Sequence, residues 1–224
     1  MAAREAPVAD RQPVSAARQR GVAMIEFALV AILGLLPLVL GILQVAALLV
    51  AHDLLSLAAF QATRAGSLRG ADPAVMQAAL ARGLLPLYVP VARDGRVPAA
   101  QALAGYGRAL LEVRTLDALE VLEPTRAGVR GLLEARGSRQ VLPNAAIESR
   151  SPALQAASVL TVSVMHCQPL VVPLVGPALS ELILLTSGLG TGAEARCRAA
   201  GRLPMRARAS LVMQSDLPLA NLPP

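Results

Sequence analysis

From Glu26 to Asp53 the chain reads EFALVAILGLLPLVLGILQVAALLVAHD. No side chain between Phe27 and Leu43 is polar; Gln44 interrupts once, and the apolar run resumes at Val45 and closes at Ala51, before His52 and Asp53. As a helix, residues 27–51 rise ~38 Å, enough to cross ~30 Å of hydrocarbon with some tilt. A secretory signal has a shorter apolar region and a small-residue cleavage site behind it, and neither fits well. Arg11, Arg18 and Arg20 precede the run, whereas the next arginine after it waits until Arg64. The positive-inside rule therefore predicts a cytoplasmic N-terminus and places residues 54–224 outside. Pro37, with Gly34 and Gly41 nearby, predicts a kink, read equally as a packing face for another helix or as a harmless bend.

Composition narrows the rest. The chain has 224 residues, 54% of them hydrophobic, which suits an anchor plus one modest domain and excludes disorder as the main theme. All 21 basic residues are Arg; with no Lys, Walker-type phosphate loops, Schiff-base lysines and Ser-Lys hydrolases are excluded. The net charge of +6 comes from arginines scattered among fifteen acids, with no long basic run, so nucleic acid is not an expected partner. Gly188-Leu189-Gly190-Thr191-Gly192 lacks the preceding strand and acidic partner of a dinucleotide fold and reads as a turn. No Gly-x-Ser-x-Gly motif occurs.

At the start of the span, Arg18-Gln19-Arg20-Gly21-Val22-Ala23-Met24-Ile25-Glu26-Phe27-Ala28 places one carboxylate in an apolar run. An acid there is expensive unless it meets a cation or reaches water, which makes Glu26 a functional candidate; the plainer alternative is that it reaches the cytoplasmic headgroups. The junction resembles the type IV pilin superfamily, whose members carry a short basic leader ending in Gly, then an apolar helix with Glu as its fifth residue. Here Gly21 ends the leader, Val22 opens the mature chain and Glu26 is fifth. The pair Glu26-Phe27 is similar to that of TadE-like pseudopilins, minor components of tight-adherence (Tad, Flp-type) pilus systems.

Other segments agree in order. Gln61 to Gly66 looks like the Ala-Arg-x-Gly end of the TadE-like helix, Leu119 to Thr125 like a short strand ending in Pro-Thr, and Val141 to Asn144 like the Pro-Asn turn after it. Val159 to Val164 and Leu203 to Met213 look like the two terminal strands. Val22, in place of a bulkier opening residue, and a long leader carrying Glu5 and Asp10 depart from the pattern. The resemblance implies cleavage after Gly21 by a prepilin peptidase and a Glu26 that neutralises a neighbouring subunit's new terminal amine. It also implies an inner-membrane location with a periplasmic C-terminal domain, or incorporation in a pilus. The implied partners are lipid, the peptidase, other pilins or pseudopilins and the Tad assembly platform.

The expected organisation is a basic leader over residues 1–21, a helix over 22–66 and an exported domain over 67–224. Asp72-Pro73 opens a helix to Gly83, Pro98 precedes one from Ala99 to about Glu112, and Thr125 caps another to about Gly137. Leu84 to Pro98 reads as a loop. Alternation over Val159 to His166 and Met205 to Met213 predicts two strands, and Leu116 to Leu122 a third. The expected fold class is α+β, with a small antiparallel sheet packed on the exposed half of the rod.

Pro169, Pro173, Pro177 and Glu181 argue against a second span in Leu170 to Leu185, leaving a core segment, a membrane-proximal loop or a docking surface. Cys167 and Cys197 predict a disulfide in an oxidising compartment, with two separate buried thiols as the alternative. His166 beside Cys167 makes no catalytic pair, because adjacent strand residues point to opposite faces. Two cysteines and one His do not fill a zinc site, and no cofactor is expected. The chain is read as a non-enzymatic assembly protein. An unprocessed single-pass envelope protein with a partner-binding domain is the alternative, followed by an anchored enzyme, which clustered Asp, Glu, Ser or His in a deep exported pocket would revive.

Overall fold

A computed structural model describes residues 24–89, 95–144, 151–187, 190 and 192–223. Helix α1 spans Met24–Leu68 without a break. Its covering changes abruptly along its length. Up to Val50 nearly every side chain is exposed or half-exposed, whereas Ala51, Leu55, Ala58, Ala59, Ala62, Thr63 and Gly66 are buried. Their spacing of three and four residues marks one face of a helix against a protein core. Among the described residues there is one helix long and apolar enough to cross a membrane, and its C-terminal half continues as the scaffold of the α+β module.

The disturbance at Pro37 takes the form of a π turn over Ala31–Leu35, where the Leu36 N–H donates to the Ala31 carbonyl. A proline ring at position 37 crowds the carbonyl of residue 33, and widening the preceding turn relieves it.

Helix α2 (Pro73–Gly83) folds back on α1. Asp72 caps it by accepting the Ala74 N–H at 2.9 Å, as its sequence predicts. Turn-length helix α3 (Leu85–Tyr88) occupies part of the expected loop, and α4 (Ala99–Thr115) follows, ending three residues beyond Glu112. Residues 90–94 lie outside the description. Strand β1 (Leu119–Glu123) is the expected third strand, shifted towards the C-terminus.

The helix expected after Thr125 does not form. Thr125 Oγ1 accepts the Gly128 N–H at 3.1 Å, so the cap is made, but only turns follow. Gly131 and Gly137 adopt φ values of 85° and 64°, conformations that end a helix, and Gly137-Ser138 closes a hairpin between β2 (Glu134–Arg136) and β3 (Arg139–Leu142). Helix α5 (Pro152–Ala157) leads into β4 (Val159–Pro169). Helix α6 (Val175–Ser187), in the proline-rich segment where no helix was expected, is followed by α7 (Gly192–Ala199), β5 (Arg202–Val212) and β6 (Leu217–Pro218).

The main sheet has the antiparallel order β1-β4-β5, with β4 and β5 paired from Val159↔Val212 to Pro169↔Arg202. Leu160, Val162 and Val164 face the core and are fully buried; Met205 and Ala207 join them from β5. The two-residue period thus places the expected side chains inward. A smaller sheet, β2-β3-β6, carries the C-terminal segment. That segment is tied to the end of α1: Ser215 Oγ donates to the Ser67 carbonyl at 2.9 Å and accepts the Gly70 N–H at 2.8 Å.

Close approach decides the helix packing. A Cβ on Gly83 would lie 2.7 Å from both Cα and Cβ of Ala58, and one on Gly66 would lie 2.7 Å from Met76 Sδ. The Gly83 neighbour is backbone and cannot swing away. Gly83→Val is expected to destabilise the detergent-solubilised full chain by about 1–3 kcal/mol, read as a lowered thermal midpoint, with Gly107→Ala, where a Cβ meets open space, as the tolerated control.

Candidate functional site

Two regions carry chemistry. The first is the exposed start of α1. Glu26 and Phe27 lie in its first turn, Phe27 is 75% exposed, and Glu26 has no ion-pair partner among the described residues. Gly21 and Val22, the expected processing site, lie outside the described residues. The structure therefore shows the helix that would follow the junction and not the junction itself.

The second region lies at the far end of the β4–β5 hairpin. Cys167 on β4 and Cys197 on α7 form a disulfide with their Cα atoms 5.4 Å apart, so the two-thiol alternative does not apply. The bond pins α7 over the outer face of the sheet, where Met165, Leu116 and Ala193 pack around it. Closing a loop of this length contributes roughly 3–4 kcal/mol in the chain-entropy treatment.

His166, one residue earlier, points to the opposite face, as strand geometry requires. There it meets Glu112 from α4 and Tyr88 from α3. His166 Nδ1 lies 3.0 Å from Glu112 Oε1, and Tyr88 Oη donates to Glu112 Oε2 at 2.6 Å. The Cys167 backbone N–H donates to Oε1 at 3.3 Å, and the Arg202 guanidinium stands 3.7 Å from Oε2. Burial by itself raises the Glu112 pKa, but the hydrogen bonds from His166 and Tyr88, the His166 charge and the Cys167 amide together hold it below the ordinary carboxylate value. Burial, then the bond to Glu112 and its negative charge, push the Tyr88 phenol far up, so Tyr88 remains a donor.

This cluster lines a cleft of about 640 Å³ between α3, α4, the β4–β5 end and α7. Arg108, Arg196 and Arg202 also line it, and Glu112 is the single acid among the lining residues. All three arginines are exposed. The cleft thus has a carboxylate held by donors in its wall and a surplus of guanidinium around it, an arrangement suited to a carboxylate or phosphate group. Glu112 and His166 also stand at the distance found between the orienter and base of a hydrolytic site. A nucleophile is what the geometry does not supply: the Thr115 hydroxyl donates to the Glu112 carbonyl at 3.3 Å, Cys167 is oxidised, and the His166 side chain is only 4% exposed. No group of three or more potential metal ligands occurs among the described residues.

No protein family, curated protein or solved structure matches this chain. The function must therefore be argued from its own residues. The Tyr88–Glu112–His166 cluster is absent from the sequence expectations because its members stand 24 and 78 positions apart. Tyr88 read as loop, Glu112 as a helix end, and His166 only as the neighbour of Cys167. The one available signal was a His at a core-facing position of the alternation, in line with Leu160, Val162 and Val164, which implies a buried partner without saying which.

Because the Glu112 pKa is lowered on folding, its ionised form adds stability above its unfolded value near 4.5, and that contribution is lost as pH falls through the lower folded value. Glu112→Gln is expected to cost about 1–3 kcal/mol at neutral pH and to flatten the acid limb of a plot of thermal midpoint against pH; an acid limb as steep as that of the parent chain would assign the acid sensitivity to other carboxylates.

Proposed function

We propose that this chain is a TadE-like pseudopilin: a membrane-inserted, non-enzymatic component of a tight-adherence pilus system, cut after Gly21 by a prepilin peptidase. The observation that carries the reading is Glu26, the single charged side chain between Met24 and Ala51, on a helix whose apolar half meets no other part of the protein over most of its length. An apolar helix with one acid near its start is stable among copies of itself when each acid finds a cation there. A neighbour's newly freed terminal amine at Val22 is that cation. The α+β module on the outer half of α1 supports the reading as well, since it leaves the inner half free to enter a bundle. In this reading the N-terminus faces the cytoplasm, the module lies in the periplasm, and other pilins and the Tad platform are the partners.

The arginine-lined cleft favours a second reading, an unprocessed single-pass envelope protein whose periplasmic domain binds an anionic ligand. The two differ at the N-terminus. Intact-mass measurement on protein from cells bearing a prepilin peptidase is expected to show a chain beginning at Val22; a chain still beginning near Met1 supports the second reading. Glu26→Ala is expected to leave membrane insertion intact and to lower pilus assembly about tenfold or more, given the cost of an unpaired charge in an apolar bundle. Unchanged assembly would assign Glu26 to the headgroup region.

A further inference from the structure

The segment from Pro169 to Leu179 contains no polar side chain. It leaves the sheet at Pro169, whose register partner is Arg202, and returns through α6 and α7 to that same point, so it is a protrusion from one end of the hairpin. What it touches is informative. The Val172 N–H donates to Gln44 Oε1 at 3.0 Å, across 128 positions of sequence. Gln44 is 1% exposed, while Leu43 and Val45 on either side are 54% and 55% exposed. The one polar residue inside the apolar run is therefore covered by this protrusion. Gln44 precedes Ala51, the outer end of the run, by seven residues, ~10 Å of helix. The outer half of a bilayer's hydrocarbon is ~15 Å thick.

We propose that the Leu170–Val175 tip is inserted into the outer leaflet of the bilayer beside α1, with Val171 and Leu174 against acyl chains. The inference rests on α1 crossing a bilayer, a feature both readings above share. Val171 and Leu174 are 66% and 68% exposed, so they need a covering the described residues do not provide. The backbone suits lipid. The Val172 N–H is taken by Gln44, the Val175 N–H by the Pro173 carbonyl at 2.8 Å, and the Gly176 N–H by the Val172 carbonyl at 2.9 Å. Pro173 and Pro177 have no N–H to satisfy. Irregular backbone at membrane depth is tolerated where protein answers its polar groups, and these bonds answer part of the tip's. The first charge after the tip is Glu181, six residues into α6, and six residues of helix climb at most ~9 Å. A climb of that size, close to the ~10 Å between Gln44 and Ala51, would bring Glu181 near the outer end of the run.

The chain contains no Trp, so a single introduced indole reports its own surroundings. The full chain carrying V171W, L43W or L103W is reconstituted in phosphatidylcholine vesicles with and without bromine at mid-acyl depth. L43W marks the span and L103W, on exposed α4, marks the aqueous module. V171W is expected to lose as large a fraction of its emission to bromolipid as L43W, with a blue-shifted maximum, while L103W is unaffected. Quenching of L43W without quenching of V171W overturns the proposal and leaves the span intact. A blue-shifted V171W emission that bromolipid does not quench also overturns it, because another protein surface then covers the tip. Absence of quenching at L43W removes the span, and the proposal with it. L174W carries the same test should V171W fail to fold.

Discussion

The structure depends on how closely other elements can approach α1 beyond Ala51. Ala58, Ala59, Ala62 and Gly66 present almost no side chain, so α2 and the sheet lie against the helix at near-backbone distance. That proximity lets one helix serve two surroundings. Over its first half the large side chains Ile32, Leu33, Leu38 and Ile42 remain outward, as a helix in hydrocarbon requires. Over its second half the outward residues give way to a face that buries Leu55 and receives Leu160 and Met76. The module is therefore packed directly on the continuation of the helix.

Within the module the same strand is gripped on both sides. His166 engages Glu112 and Tyr88 on one face while Cys167 is bonded to Cys197 on the other. A carboxylate at this depth is costly unless donors surround it, and Tyr88 from α3 with His166 and the Cys167 amide from β4 supply them. The network holds α3 and α4 to the strand from inside, and the disulfide holds α7 to it from outside. Between the two grips lies the arginine-bordered cleft, walled by elements that these bonds link. Cross-links of this kind reduce the ordering entropy lost when a surface takes up a partner.

The sequence was readable where the signal is local. The alternating residues of β4 and β5, the Asp72 cap and the apolar run of α1 each fix a conformation within a few neighbours, and each occurs as expected. Thr125 shows the limit: its cap forms, but Gly131 and Gly137 in left-handed backbone turn the following chain into a hairpin. Propensity at one end did not outweigh backbone freedom further on. The candidate site fared unevenly for the same reason. Cys167 and Cys197 were findable because no other cysteines compete for pairing. Glu112 and Tyr88 were not, because either could pair with many residues until the sheet brings β4 beneath α4. Gly21 and Val22 belong to a third kind: their proposed role is to be recognised and cut, which the fold of the mature chain does not report.

Gln44 joins these levels. A lone amide in an apolar run is ordinarily a small penalty carried by one helix, met by a neighbouring helix or by water. Here its side-chain oxygen accepts the Val172 N–H, an amide of the α+β module, so a polar residue of the apolar run becomes a register mark for a segment 128 positions away. The prolines that rule out a second crossing serve that arrangement. By removing amides and interrupting the helix they let the chain turn back beside Gln44, which under the proposed insertion is the point where it leaves the bilayer again. The 13-residue α6, ~20 Å long, returns the chain outward and is too short to span. An exported module held at α1 alone is free to tilt with it, whereas one held at α1 and at an inserted tip has a fixed attitude to the membrane. With the tip inserted as proposed, the arginines of the cleft would stand at a defined height above the lipid.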